Sequence, residues 1–184
     1  KEVIPFLQPG AAMEYALTTA IKKISVVNKP TVGFIQGHGE PPLSDLSQVQ
    51  AQLSILYTTE EIRLSDSTGI PDRVKTLAII RPMDSIPPGD LRKLDDFLSK
   101  GGKLVIAMNR VNGDLQNANG YAVTTGLENW LQQKGIVVED NFVVDAKCGS
   151  INVVQQQGAF SFQTQLPFPF LPLAGKFADH PISK

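Results

Sequence analysis

One cysteine, Cys148, is too few for a disulfide within the chain, so no cross-link contributes to stability. The lone thiol leaves the redox compartment open, because a reducing cytosol and a cysteine-poor periplasm suit it equally. There are two histidines, His38 and His180, near opposite ends of the chain, and no CxxC. The spacing that metal sites need is therefore missing, and neither a metal nor a cofactor is expected. No run of about 18 apolar residues occurs, so nothing reads as a bilayer-spanning helix. No leader peptide is visible. The sequence opens on Lys1 rather than Met and reads as a piece of a longer protein, any membrane attachment lying outside it. Charge is also sparse. Seventeen Lys+Arg against 18 Asp+Glu leave a net −1. That balance argues against a nucleic-acid partner, which calls for a basic surface, and against a polybasic membrane-surface module.

The composition fits an ordinary globular chain, with 42% hydrophobic and 19% charged residues. A domain of this length buries roughly 70% of the surface its unfolded chain exposes, and needs no staple. Residues 1–11, with Pro5, Pro9 and Gly10, read as an extended lead-in. The spacing of Tyr15, Leu17, Ala20, Ile21 and Ile24 predicts a helix over 12–27. Then strand and helix patterns alternate. Short apolar runs at Thr31–Gln36, Thr76–Ile80 and Lys103–Met108 read as strands, and Thr59–Leu64 is a further strand candidate. Between them, helices carry the stripes Leu46, Val49, Leu53, Leu56 and Leu91, Leu94, Leu98. Ser44 reads as the cap of the first, and Gly101-Gly102 ends the second. Asn109–Gly120 reads as a polar loop. Thr125-x-x-Glu128 fits a capping box for a helix with Leu127, Trp130 and Leu131 on one side, ended by Gly135. Ile136–Val138 and Phe142–Asp145 are short strand candidates.

The alternation predicts an α/β fold, a mostly parallel sheet flanked by helices. Three segments follow: an N-terminal arm and helix over 1–29, an α/β core over 30–147, and a C-terminal extension over 148–184. The extension is neutral and rich in Phe, Pro and Gln, with a hairpin expected at Ile151–Val154 and Ala159–Thr164 through Gly158. Leu166–Leu173, studded with Pro, reads as neither helix nor central strand.

Right-handed crossovers place the strand-to-helix loops at one end of a parallel sheet, where open α/β sheets bind ligands. Gln36, Gly37, His38, Gly39 and Glu40 follow the first core strand. His38 is a candidate acid–base group with Glu40 to orient it, and the same residues also make a plain polar turn. Arg81 follows the third strand, where it binds an anion or pairs with a local acid such as Asp84. Asn109 and Arg110 follow the fourth. Together these eight residues form a candidate ligand crevice. No GxGxxG, P-loop or GxSxG is present. Cys148 lacks a strand–nucleophile–helix elbow and reads as structural. Asp95-Asp96 reads as a solvated helix face. In the extension, Phe160, Phe162, Phe168 and Phe170 either form a partner surface or fold back onto the core.

Several runs carry a family resemblance: Ile4-Pro5-Phe6, Glu14-Tyr15, Lys29 through Glu40 (KPTVGFIQGHGE), Phe97-Leu98 with Gly101-Gly102-Lys103-Leu104, and Asp179-His180-Pro181-Ile182. Through them the sequence resembles the gliding-motility-associated ABC transporter auxiliary proteins of the GldG type. The resemblance implies a flavodoxin-like or class I glutamine-amidotransferase-like domain, related also to a domain of intraflagellar-transport proteins. It implies a position on the periplasmic side of a bacterial inner membrane, in a membrane-anchored parent. Its expected partners are the permease and ATPase of an ABC-type system, with a homo-oligomer also open. No catalytic residues come with the family, and the Lys103–Asn109 run lacks the elbow cysteine of amidotransferases. Two functions follow. One is a non-enzymatic auxiliary domain that binds a partner or ligand. The other is a small-substrate hydrolase or transferase that uses His38 and Glu40.

Overall fold

The computed structural model describes residues 13–25, 28–64, 69–114, 119–157, 160–177 and 179. The expected lead-in, the turn at Gly158 and His180 lie outside these residues. The chain falls into two compact units, Lys1–Glu139 and Asp140–Lys184.

The first unit opens with helix α1 (Met13–Ser25), whose Leu17, Ile21 and Ile24 are exposed. A four-stranded sheet follows, with strands β1 (Thr31–Gln36), β2 (Thr58–Arg63), β3 (Val74–Ile80) and β4 (Lys103–Ala107). Their order is β2-β1-β3-β4, and every neighbouring pair is parallel. This is the expected α/β architecture. The central strands β1 and β3 are apolar on both faces because both of their faces are covered, whereas the edge strands β2 and β4 keep exposed residues. On one side Ile35, Ile62, Leu77 and Ile79 pack with Leu94 and Phe97 of α3 (Pro88–Ser99) and with Leu127, Trp130 and Leu131 of α4 (Leu127–Gln133). On the other, Phe34 and Ala78 pack with Leu43, Leu46 and Leu53. Each fully buried aliphatic side chain contributes about 1.5–3 kcal/mol.

The structure corrects several expectations. Ser44 caps no helix: Pro42 is extended, the chain enters a 3-10 turn at Leu43–Leu46, and α2 spans Ser47–Leu53. Val49, expected in the buried stripe, is exposed. The polar stretch after Asn109 holds two short strands paired antiparallel, β5 (Val111–Asp114) and β6 (Asn119–Ala122), where a loop was expected. Its Asn and Gly content hid a ladder that needs only backbone groups. Ile136–Val138 and Phe142–Asp145 are not strands, since β-branched composition makes none without a partner ladder. Asp95 is not simply solvated. It accepts from Trp130 Nε1 at 3.2 Å and from Lys134 Nζ, tying α3 to α4.

The second unit holds an antiparallel ribbon of β7 (Cys148–Gln157) and β8 (Phe160–Pro172). Both are longer than expected, and β8 runs through Pro167 and Pro169. A two-stranded ribbon has only edge strands, and an edge strand tolerates proline.

Candidate functional site

The loops at the carboxyl ends of β1 and β3 meet at the switch point of the sheet, because β2 and β3 lie on opposite sides of β1. Here the chain closes on itself. The His38 carbonyl accepts from the backbone N–H groups of Met83, at 2.9 Å, and Asp84, at 2.8 Å. The Gln36 side-chain amide donates to the Pro41 carbonyl at 3.0 Å, folding the β1 loop back. Gly39 adopts φ 76°, and a Cβ there would sit 3.0 Å from Met83 Cβ and from an Asp84 carboxylate oxygen. Only glycine lets the two loops approach this closely.

The His38 side chain turns inward and is 5% exposed. Nδ1 lies 3.4 Å from Glu40 Oε1, and Nε2 lies 3.3 Å from Asp90 Oδ2. Glu40 also accepts the backbone N–H of His38, at 2.6 Å. Asp90 sits in the first turn of α3, after Pro87-Pro88-Gly89, where an acid is favoured by the helix dipole. Its other oxygen lies 3.1 Å from Lys93 Nζ, which also donates to the Leu64 carbonyl. Glu40 and Asp90 are themselves buried.

This environment decides protonation. The Glu40 side chain raises the His38 pKa, burial opposes it, and Asp90 adds to the rise. Burial alone would raise the Glu40 pKa, but the nearby His38 ring and the hydrogen bond from the His38 backbone N–H together hold it below its ordinary value. An imidazolium is the one state of histidine that presents a donor at both ring nitrogens, and here both face carboxylates. The arrangement is a buried pin joining the β1 loop to α3: Nε2 is within hydrogen-bond distance of Asp90, while Nδ1 and Glu40 Oε1 stand 3.4 Å apart without a hydrogen bond.

The other crevice candidates are placed differently. Gly37, at φ 116°, is exposed. Arg81 is exposed, its backbone at φ 48°, and its N–H donates to the Ala107 carbonyl. No Arg81–Asp84 ion pair forms among the described residues. Asn109 is exposed. Arg110 donates to the Val123 carbonyl and lies 3.7 Å from Glu128 Oε2. Only the acidic half of the expected capping box forms: Glu128 accepts from the Thr125 backbone at 3.3 Å and hydroxyl at 3.2 Å and from the Gly126 N–H, while Gly126 takes the cap position and the Thr125 hydroxyl accepts from the Leu127 N–H. Burial is the largest influence on the Glu128 pKa and pushes it up, yet the hydrogen bonds from backbone N–H groups and Thr125 leave it lowered. The structure therefore joins His38 and Glu40, with Gln36 beside them in the same loop, and commits Arg110 to the start of α4.

The sequence reading missed Asp90 and Lys93. The helix start after Pro87-Pro88 marks Asp90 as a first-turn acid, but its meeting with His38 is tertiary. Among the described residues, no group of three His, Cys, Asp or Glu is arranged to hold a metal ion. No serine, threonine or cysteine among them hydrogen-bonds His38. A separate cavity of about 430 Å³ lies near the amino end of β3, lined by Ile70, Val74, Lys75, Phe97 and Lys100 among others. In the second unit, Phe162 and Phe170 are 54% and 48% exposed, Phe168 is half-buried, and of Phe160 only the backbone is described. Phe170 packs edge-on against Phe142 and tilted against Phe168.

Residues 29–184 match the model of a family of ABC transporter auxiliary proteins described as "ABC-type uncharacterized transport system". No curated protein matches the chain. Among solved structures, the "mmIFT52 N-terminal domain" aligns with a TM-score of 0.50 at 18% identity, over 75% of this chain. The chain spans 65% of that structure's length. At this identity the likeness speaks to the fold alone.

Proposed function

The chain belongs to the ABC transporter auxiliary family, and from that membership we propose that it is a non-enzymatic binding domain of an ABC-type transport system. The observation that carries the proposal is the His38 pin. A general base needs a free lone pair within reach of substrate. His38 is buried, both ring nitrogens face carboxylates, and the loops around it are hydrogen-bonded to each other across the switch point. These features suit a structural lock better than acid–base turnover by His38 and Glu40.

The finer reading has the domain on the periplasmic side of a bacterial inner membrane, in a membrane-anchored parent of the GldG type linked to gliding or envelope function. Its partners are the permease and ATPase of the same system, reached through the membrane-anchored parent. The exposed Phe162 and Phe170 support a partner surface in the second unit. The strand order supports a flavodoxin-like sheet, whose strands run 2-1-3-4-5. Co-purification tests the reading. The membrane-anchored parent is expected to retain permease and ATPase, and a form lacking residues 29–184 is expected to lose them. Equal retention by both forms, or a turnover abolished by His38→Ala with the fold intact, would overturn it.

A further inference from the structure

The β7–β8 ribbon is a two-stranded sheet with no third strand among the described residues. Two strands alone are marginal in water, and three or more with an apolar face are needed for independent stability. From Cys148 to Gly175 the sequence contains no Asp, Glu, Lys, Arg or His. The register sets Ile151 and Val153 opposite Leu166 and Thr164 on one face. Asn152, Val154 and Gln156 alternate onto the other. The two outer edges differ. β8 carries Pro167, Pro169 and Pro172, and its register against β7 shifts between Cys148 and Ser150, so its outer edge is a poor template. β7 has no proline in ten residues and no charge. Natural edge strands are usually blunted by Lys, by Pro or by a bulge. Between Ile151 and Gln156, β7 has none of these.

We propose that the outer edge of β7 is a self-association edge. Two copies of the chain pair β7 with β7, antiparallel about a two-fold axis, and so build a four-stranded sheet from two ribbons. The absence of charge permits this occupant, and the side chains on the edge favour it. An edge without charge gives no electrostatic preference for an acidic or basic partner, and it meets its own copy without like-charge repulsion in any register. The side-chain amides of Asn152 and Gln156 are donor and acceptor at once, so they are self-complementary across a two-fold. Ile151 and Val153 of both copies then line one continuous apolar face. The inference stands apart from the transport reading and does not depend on it.

Sedimentation of the full chain across a concentration series tests it. The wild-type chain is expected to move reversibly from monomer to dimer. A variant carrying Asn152→Lys, Val154→Lys and Gln156→Lys sets like charges facing each other, and is expected to dimerise at least about tenfold more weakly. The corresponding triple-glutamate variant should weaken alone in the same way, and mixing the two should restore a heterodimer. A wild-type chain that stays monomeric throughout, whether or not it binds neutral lipid vesicles, overturns the proposal. So does a triple-lysine variant that dimerises as well as wild type. If the variants lose the ribbon, hydrogen exchange on the wild type decides: β7 amide protection must rise with protein concentration, and protection independent of concentration refutes the pairing.

Discussion

His38 and Asp90 are 52 residues apart in sequence, yet Nε2 of one lies 3.3 Å from Oδ2 of the other in a buried setting. This contact joins the loop after β1 to the first turn of α3. With Glu40 on the opposite ring nitrogen, it fixes the imidazole between two carboxylates.

Asp90→Asn keeps the shape but removes one charge from the pin. It should destabilise the chain by roughly 1–3 kcal/mol in urea denaturation. It should also lower the His38 pKa, because one of the groups raising it is gone. A stability loss with no movement of the His38 titration would assign Asp90 to α3 alone.

Stability should depend on pH with a definite sign. The folded-state His38 pKa is raised, so its contribution is full below the ordinary histidine value and is lost as pH rises through the folded value. The Glu40 pKa is lowered, so its contribution is full above the ordinary glutamate value and is lost as pH falls through the folded value. Denaturation midpoints should therefore hold a plateau between the two and decline on both sides. His38→Gln should remove the alkaline decline that His38 contributes, and an unchanged alkaline limb would contradict this origin.

Gly39→Ala should cost about 1–3 kcal/mol. A left-handed backbone would gain a Cβ that presses on Met83 and Asp84. Thermal unfolding reads the loss, and a neutral effect would mean that the two loops separate at little cost.

Glu128→Ala removes the acceptor that holds the Thr125 and Gly126 N–H groups at the start of α4 and leaves the partly buried Arg110 guanidinium without its ion pair. A loss of roughly 2–4 kcal/mol is expected by denaturation. Arg110→Leu in the same background should recover part of it, since the uncompensated charge is then absent.

Much of the core was legible in the sequence. The β1 run at Thr31–Gln36 coincides with the strand in the structure, and Glu128 reaches back to Thr125 as spaced, with Gly126 rather than Thr125 at the cap. Local signals of this kind, apolar runs, caps and stop glycines, act within a few residues. What the sequence concealed depends on distant partners. The β5–β6 ladder is made by backbone pairing through polar residues, and Ile136–Val138 has strand composition but no ladder. His38 and Glu40 were visible as a polar pair beside two glycines. Their meaning depended on Asp90, which arrives from another element, and on loops that close over the switch point instead of opening it.

The most direct test is a ¹⁵N–¹H titration of the His38 imidazole in the native chain. The buried pin predicts that the imidazole titrates above the ordinary histidine value, with protons on both ring nitrogens below its folded-state pKa. An imidazole that titrates at or below the ordinary value, with one ring nitrogen open to solvent, would contradict the structural role of His38 and return it to the candidates for acid–base chemistry.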